Sequence, residues 1–229
     1  MKNKKWSIII FIVLLIVIFV GYKYYCFLKY DESVNNEISE IKFKGIMTIN
    51  HVNLEESEYM TFENLKFKNI FDGFERFNEE ADTFKMVVSN NRDKAVFIGH
   101  EDQFIYLLKN QYDKALANKL ESENVKDDLD FLKYMEKHNN DDVKFFMTIR
   151  KQKEIYTLNL FKINMLPSLL YVKEINGDYR GYLFKSNRNI TEVSILDGFN
   201  KRYYFTFIGN YSEEFINEFM NSVIINNAS

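Results

Sequence analysis

Residues 169–208 read LLYVKEINGDYRGYLFKSNRNITEVSILDGFNKRYYFTFI, and they set the architecture of the chain. Runs of apolar and β-branched residues alternate here with turn signals. Asn176-Gly177 is the strongest short hairpin signal, and Asp197-Gly198 separates two later runs. The pattern predicts a meander of antiparallel strands at 169–175, 179–185, 190–196 and 202–208.

Strand signals also occur upstream of the meander. Alternation of apolar residues with lysine predicts strands at 41–44 and 65–68. Two further runs, separated by the turn Asn90-Asn91-Arg92-Asp93, predict a hairpin. After Asp141-Asp142 the strand signal returns, and we expect two more strands. The hairpin and these later strands cover 84–88, 95–98, 143–150 and 155–163.

The segment 102–138 contains no Gly or Pro and is expected to be helical. Asp102 is the expected N-cap of a first helix, whose apolar residues recur at helical spacing. A second helix is expected near 125–138. Its first turn holds Asp127, Asp128 and Asp130, which favour the positive end of the helix dipole.

The chain closes with a predicted amphipathic helix. Ser212 is the expected N-cap, with Glu213 and Glu214 in the first turn. One wide apolar stripe follows: Phe215, Ile216, Phe219, Met220, Val223 and Ile224. We expect this stripe to cover the protein's own sheet rather than a partner helix or a membrane. The predicted fold class is therefore α+β, an antiparallel β-sheet with helices packed on it.

The N-terminal region predicts a membrane anchor. Residues 8–20 read IIIFIVLLIVIFV, and aromatic residues border this run: Trp6 before it, then Tyr22, Tyr24 and Tyr25 after it. With its borders, from Trp6 to Tyr22, the run spans about 25 Å as a helix, which is near the lower limit for crossing a bilayer. The aromatic borders suit the two interfacial belts. The alternative is a cleaved signal peptide, but residues 20–25 are too bulky for cleavage.

The distribution of lysines orients the anchor. Three lysines precede the apolar run, so the positive-inside rule places the N-terminus in the cytoplasm. We therefore expect residues 1–30 to be a cytoplasmic tip and transmembrane signal anchor, 31–37 a linker, and 38–229 an extracytoplasmic domain of a single-pass protein. We also expect the domain to fold without any packing from the anchor.

Composition excludes several classes of function. All 33 acidic residues follow residue 30, together with 25 of the 30 Lys and Arg, so the domain is acidic and nucleic acid is an improbable partner. Cys26 is the single cysteine, which excludes an intramolecular disulfide. The high content of Asn, Lys, Ile, Phe and Tyr is typical of an AT-rich bacterial genome.

No motif predicts a catalytic or metal site. There is no nucleophile elbow or phosphate-binding glycine loop, and His51, His100 and His138 lie far apart. The most metal-like cluster is His100-Glu101-Asp102, but consecutive side chains point in different directions. We interpret it as a strand-to-helix turn. We therefore predict no catalytic residue, no metal ligand and no cofactor.

Tyrosines crowd the last strands and are candidates for a binding surface. Tyrosine is favoured at interfaces, but it is equally favoured in strands. The candidates are Tyr179, Tyr182, Tyr203, Tyr204 and Tyr211.

Two stretches resemble the PsbP-like family, which includes the extrinsic photosystem subunit P and many small bacterial envelope proteins. They read LKFKNIFDGFE at 65–75 and RYYFTF at 202–207, the latter followed by SEEF at 212–215 and MNSV at 220–223. The resemblance covers roughly 38–226 and implies an α/β/α sandwich with a binding role. The helical segment 102–138 is larger than the family usually carries, and the family has no general set of catalytic residues to transfer.

The sequence favours a non-enzymatic function. We expect a membrane-anchored extracytoplasmic protein-binding domain of a bacterial envelope, for example an immunity-type protein against a toxin. The expected partners are the lipid bilayer, through residues 6–25, and a protein. The alternatives are an envelope hydrolase that uses carboxylates not recognisable from sequence, and a scaffold or assembly factor of a membrane complex.

Overall fold

A computed structural model describes most of the chain. The described residues are 2–31, 40–62, 64–69, 75–77, 84–88, 94–111, 114–138, 141, 143–165, 169–186, 188–198 and 200–226. The predicted turn at 90–93 and most of the predicted linker lie outside these residues.

The structure is a mixed α+β fold, as predicted from the sequence. The helices are α1 (Lys2–Asp31), α2 (Phe104–Gln111), α3 (Lys114–Ser122), α4 (Asp128–Lys137), α5 (Ile149–Met165) and α6 (Glu213–Asn221), with one 3-10 turn at Glu56–Glu58. The strands are β1 (Phe43–Ile49), β2 (Tyr59–Phe62), β3 (Leu65–Lys68), β4 (Glu75–Phe77), β5 (Phe84–Val88), β6 (Ala95–Asp102), β7 (Leu169–Gly177), β8 (Gly181–Ser186), β9 (Ile190–Leu196), β10 (Lys201–Ile208) and β11 (Ile224–Ile225).

In the described part of the chain, the strands form a large sheet of eight strands and a small sheet of three. The large sheet has the order β1-β7-β8-β9-β10-β6-β5-β4, and the small one has the order β11-β3-β2. The predicted meander from β7 to β10 and the hairpin of β5 and β6 are confirmed, and their pairs are antiparallel. One pair differs from the prediction, since β1 joins β7 in parallel.

The parallel pair depends on a glycine at the first hairpin. Gly177 has a φ of +110°, and it pairs with Ile49 at the end of β1. A Cβ atom at this position would lie 2.1 Å from the carbonyl oxygen of Ile49. The Asn-Gly signal therefore serves two purposes, because the residue that permits the turn also permits the close approach of β1.

The large sheet is covered on both faces. On one face, α6 and the small sheet enclose an apolar core whose largest fully buried side chains are Phe67, Phe205, Phe207 and Phe219. On the other face, side chains from α2 to α5 form a second core with Ile41, Val172 and Tyr182. We call these the α6 face and the four-helix face.

The predicted C-terminal helix is confirmed as the cover of the first face. Ser212 caps α6, because its Oγ accepts a hydrogen bond from the N–H of Phe215 at 3.1 Å. Phe219 is 1% exposed, and its ring lies 5.5–5.8 Å from those of Phe67, Phe205 and Phe207. Ile224 lies beyond the helix, in β11.

The prediction of strands at 143–150 and 155–163 is wrong, since most of this region forms α5. The buried positions recur at helical spacing and are Gln152, Ile155, Leu158, Asn159 and Lys162. Three of them are polar, so a search for apolar periodicity misses the buried stripe of the helix.

The prediction of Asp102 as an N-cap is also wrong. Asp102 is the last residue of β6, and its carboxylate accepts a hydrogen bond from Lys201 Nζ at 2.8 Å. The segment 102–138 nevertheless contains three helices. The start of α4 agrees with the prediction, because Asp127 caps it by accepting from the N–H of Asp130 at 2.8 Å.

Candidate functional site

The first functional feature is the junction between α1 and the folded domain. Residues 11–20 of α1 are exposed on all sides, although they are entirely apolar. Among the described residues, one stretch of helix is both long enough and apolar enough to cross a membrane, and it covers Phe11–Tyr30. At 1.5 Å per residue, the 30 residues of α1 extend about 45 Å, which exceeds the roughly 30 Å hydrocarbon core of a bilayer.

The C-terminal end of α1 packs against the domain. The ring of Phe145 lies 6.4 Å from Tyr24 and 6.0 Å from Phe27, and the ring of Tyr30 lies 5.0 Å from that of Tyr156 on α5. Lys23 Nζ lies 5.3 Å from the Phe145 ring, within cation–π range. The expectation that the anchor contributes no packing is therefore wrong, whereas folding of the domain without the anchor stays a prediction.

Burial at the junction has a chemical consequence for the single cysteine. Cys26 is 5% exposed, because it lies on the side of α1 that faces the domain. A thiol in such surroundings behaves as a small apolar group.

The second functional feature is a cavity on the four-helix face, which we call the Asp128 pocket. Its volume is about 110 Å³. It lies between α2, α4 and the strands β8, β9 and β10. Its lining residues are Phe104, Asp128, Phe131, Leu132, Met135, Tyr182, Phe184, Glu192 and Arg202.

Asp128 is the most deeply buried charged group of this pocket. It is 1% exposed, and its Oδ1 accepts a hydrogen bond from the N–H of Ile105 at 2.9 Å, so it caps α2 from the neighbouring helix. Its Oδ2 is buried and has no hydrogen-bond partner. Burial raises the pKa of Asp128 to about 6.

Arg202 lies beside Asp128 and is already bonded to other groups. Its Nε and Nη2 donate to Glu101 Oε1, the first at 2.7 Å. Its Nη1 donates to the hydroxyl of Tyr182 at 2.5 Å and to Glu192 at 3.5 Å. Its guanidinium also lies 4.2 Å from the ring centre of Phe104. Arg202 thus connects β10 to β6, β8 and β9.

The charges around the pocket do not balance. One cation, Arg202, lines the pocket together with two carboxyl groups, those of Asp128 and Glu192, and a third carboxyl group, that of Glu101, binds the guanidinium from outside the lining. Glu192 is 28% exposed at the side chain, whereas Asp128 is almost fully buried, so the negative charge extends from the surface into the protein. The arrangement can accept a hydrogen-bond donor that carries positive charge.

The five candidate tyrosines do not form one exposed surface. Tyr182, Tyr203 and Tyr211 are buried, while Tyr179 and Tyr204 are half-buried. Tyr182 faces the four-helix core, whereas Tyr203 and Tyr211 belong to the core under α6. Successive residues of a strand point to opposite faces, so a cluster along the sequence becomes divided between two sides.

The cluster His100-Glu101-Asp102 is also divided, as expected for consecutive residues. Glu101 binds Arg202, and Asp102 binds Lys201. Within the described part of the chain, no group of three His, Cys, Asp or Glu side chains could hold a metal ion.

A further buried polar group supports α5 rather than a pocket. Lys162 is fully buried, and its Nζ donates to the backbone oxygen of His138 at 2.8 Å. Burial lowers its pKa to about 8. His138 in turn lies with its Nδ1 2.7 Å from Asp141 Oδ2. This cluster connects the end of α4 to α5.

Sequence reasoning missed both Asp128 as a pocket residue and Arg202. In the sequence, Asp128 indicates only a charged first turn of a helix. The signal for Arg202 was an arginine at the start of the apolar strand sequence RYYFTF, where a charge without a partner would be costly. No protein-family model, curated protein or solved structure matches this chain.

Proposed function

We propose that this chain is a single-pass membrane protein of a bacterial envelope. In this proposal the N-terminus is cytoplasmic and the folded domain lies outside, where it binds a protein partner. The main support is α1, because its apolar, exposed residues 11–20 continue directly into residues that pack on the domain. A helix that is exposed on one part and packed on the next is well suited to hold a domain at a bilayer surface.

An exposed aromatic residue supports a domain placed directly on the bilayer. Phe146 is 91% exposed, and its ring lies 5.7 Å from that of Phe145, which contacts α1 at Tyr24 and Phe27. Tyr24 belongs to the predicted outer aromatic belt, so Phe146 lies near the same level. Aromatic side chains at this level favour the membrane interface.

The orientation is tested with protease on intact protoplasts that express the chain with a C-terminal tag. The proposal expects loss of the tag without lysis, and retention of an N-terminal fragment that contains residues 2–31. Protection of the tag until lysis would contradict the orientation. A mature N-terminus after residue 20 would contradict the anchor.

The placement of Phe146 at the bilayer surface is tested with Phe146→Trp in a Trp6→Phe background, so that one tryptophan remains. In vesicles, we expect a blue-shifted emission that brominated lipids quench. The matched control is Val52→Trp, because Val52 is 51% exposed and its N–H bonds to Asn221 at the end of α6. Equal quenching of both variants, or none of Phe146→Trp, would contradict this placement.

Partner binding is tested by capture from gently solubilised membranes. The tagged full chain is compared with a control in which residues 1–31 carry an unrelated folded domain. The proposal expects a near-stoichiometric protein retained only by the full chain. Its absence after cross-linking in intact cells would contradict a protein-binding function.

A further inference from the structure

Three properties of the Asp128 pocket are typical of a ligand site and distinguish it from a packing defect. It has a defined volume, it is mostly apolar, and a few polar groups converge in it. Its volume of about 110 Å³ is several times the roughly 10–15 Å³ that one water molecule requires by the same measure. The unpartnered Oδ2 of the buried Asp128 gives it a specific chemical demand.

That demand is for a hydrogen-bond donor. A buried carboxylate oxygen without a partner carries the full desolvation penalty of that atom, and a donor in the pocket would remove it. The cation in the lining does not serve this purpose, because the guanidinium of Arg202 is directed to Glu101, Tyr182 and Glu192.

The same bonds of Arg202 argue against an anionic ligand. A carboxylate or phosphate would have to displace Glu101 or Glu192 from the guanidinium and then lie beside Asp128. With three carboxyl groups around one guanidinium, a positively charged ligand is favoured by Coulomb attraction. A neutral donor would satisfy the hydrogen bond but would leave the excess negative charge.

The remaining lining defines the rest of the ligand. Phe131, Leu132, Met135 and Phe184 surround the cavity with apolar surface. A short alkyl chain fits such surroundings, and the aromatic faces attract the cationic end.

We propose that the Asp128 pocket binds a primary alkylammonium group, with its nitrogen on Asp128 Oδ2 and its alkyl chain against Phe131, Leu132 and Met135. This group occurs in free short-chain amines and in the lysine side chain of a protein. The lysine source rests on the protein-binding function proposed above, and the free amine does not.

The first experiment measures the affinity of three probes of similar shape by calorimetry on the full chain. The chain is held in a non-ionic detergent, which carries no ammonium group. n-Butylammonium should bind with one site per chain, n-butanol at least tenfold more weakly, and butyrate without detectable affinity. Equal affinities of butylammonium and butanol, tighter binding of butyrate, or no binding of butylammonium would overturn the proposal.

Two variants place the site. Asp128→Asn keeps an oxygen for the N–H of Ile105 but removes the charge, so it should weaken butylammonium binding at least tenfold. Met135→Trp should abolish binding by filling the cavity while Asp128 remains. The control is Asp127→Asn, the adjacent carboxylate, which binds Arg180 at 2.6 Å and does not line the pocket. Unchanged affinity in Asp128→Asn, with circular dichroism like that of the wild type, would overturn the assignment.

A second probe distinguishes the two sources of the ligand. Nα-acetyl-lysine N-methylamide carries the ammonium on a side chain with its peptide groups. Binding of both probes assigns the pocket to a lysine side chain, and binding of butylammonium alone assigns it to a free amine. Failure of the capture experiment combined with butylammonium binding would remove the protein partner but keep the pocket.

Discussion

The α6 face and the four-helix face of the large sheet are packed differently. The core under α6 consists of apolar and aromatic side chains, with phenylalanines from two strands, β3 and β10, packed against Phe219. The four-helix face contains the three charged residues that are buried in the described part of the chain, Asp128, Lys162 and Arg202. One face of the sheet therefore has an apolar, aromatic core, and the other face contains buried charges.

Buried charges contribute little to stability on their own. Desolvation of an ion pair often exceeds its Coulomb attraction, and apolar residues of the same volume are often equally stable. The bonds of Arg202 to residues of β6, β8 and β9 limit this cost. The unpartnered oxygen of Asp128 increases it. The α6 face therefore contributes more to the stability of the fold than the four-helix face, whose buried charges reduce its contribution.

The largest test of this contrast is Phe219→Ala on the α6 face. Phe219 is 1% exposed and contacts three other phenylalanine rings, so its loss removes transfer energy and leaves a cavity. We expect the free energy of unfolding to fall by about 3–5 kcal/mol. Urea denaturation of the full chain in non-ionic detergent, followed by near-ultraviolet circular dichroism, measures the change.

The control for this variant is Val52→Ala, an exposed apolar position. It should change the free energy of unfolding by less than about 0.5 kcal/mol. A similarly small effect of Phe219→Ala would mean that α6 does not support the fold.

The next test concerns Asp128 on the four-helix face, where a substitution should raise the free energy of unfolding rather than lower it. The folded-state pKa of Asp128 is raised from 3.8 to about 6, so its protonated form is favoured in the folded protein. The protonated carboxyl group therefore stabilises the folded protein relative to the ionised one. This stabilisation is fully present below about pH 4 and is lost as the pH rises through 6. At pH 7–8, Asp128→Asn should therefore stabilise the full chain by up to about 3 kcal/mol relative to the wild type.

The pH profile distinguishes this effect from a general change in packing. The advantage of Asp128→Asn should become small at pH 4 and vanish below it, because the folded wild-type carboxyl group is then neutral and the unfolded one, with a pKa of 3.8, becomes protonated as the pH falls further. Thermal melts of the two chains between pH 4 and 8 measure it. An advantage that does not depend on pH would show that the charge of Asp128 is not the cause.

The smallest expected changes in the free energy of unfolding come from removing two helix caps, one on each face. Ser212→Ala removes the single bond that caps α6 and should cost about 1 kcal/mol. Asp127→Ala removes the cap of α4 together with the ion pair to Arg180, which is half-exposed, so it should cost a few tenths of a kcal/mol more. Urea denaturation in 0.1 M and 1 M salt separates the two terms, because only the ion pair is screened.

If the difference between these caps persisted in 1 M salt, the ion pair would not be its source. A cost of Ser212→Ala below about 0.3 kcal/mol would indicate that packing alone holds the first turn of α6.

Short-range patterns determined much of this protein. Three features depend only on residues that lie close together in the sequence. They are the apolar run at 8–20, the turn signals Asn176-Gly177 and Asp197-Gly198, and the capped stripe after Ser212. Such features need no knowledge of the rest of the chain, because turn geometry and helix capping are local. They predicted the anchor helix, the meander and α6.

Tertiary structure alone decided the rest. The helix α5 was hidden because Gln152, Asn159 and Lys162 occupy buried positions, and only contacts with neighbouring elements make polar residues acceptable there. The parallel pairing of β1 with β7 joins strands more than a hundred residues apart. The Asp128 pocket likewise requires α2, α4, β9 and β10 to meet, since a carboxylate acquires its unpartnered oxygen and its raised pKa only from the elements packed around it.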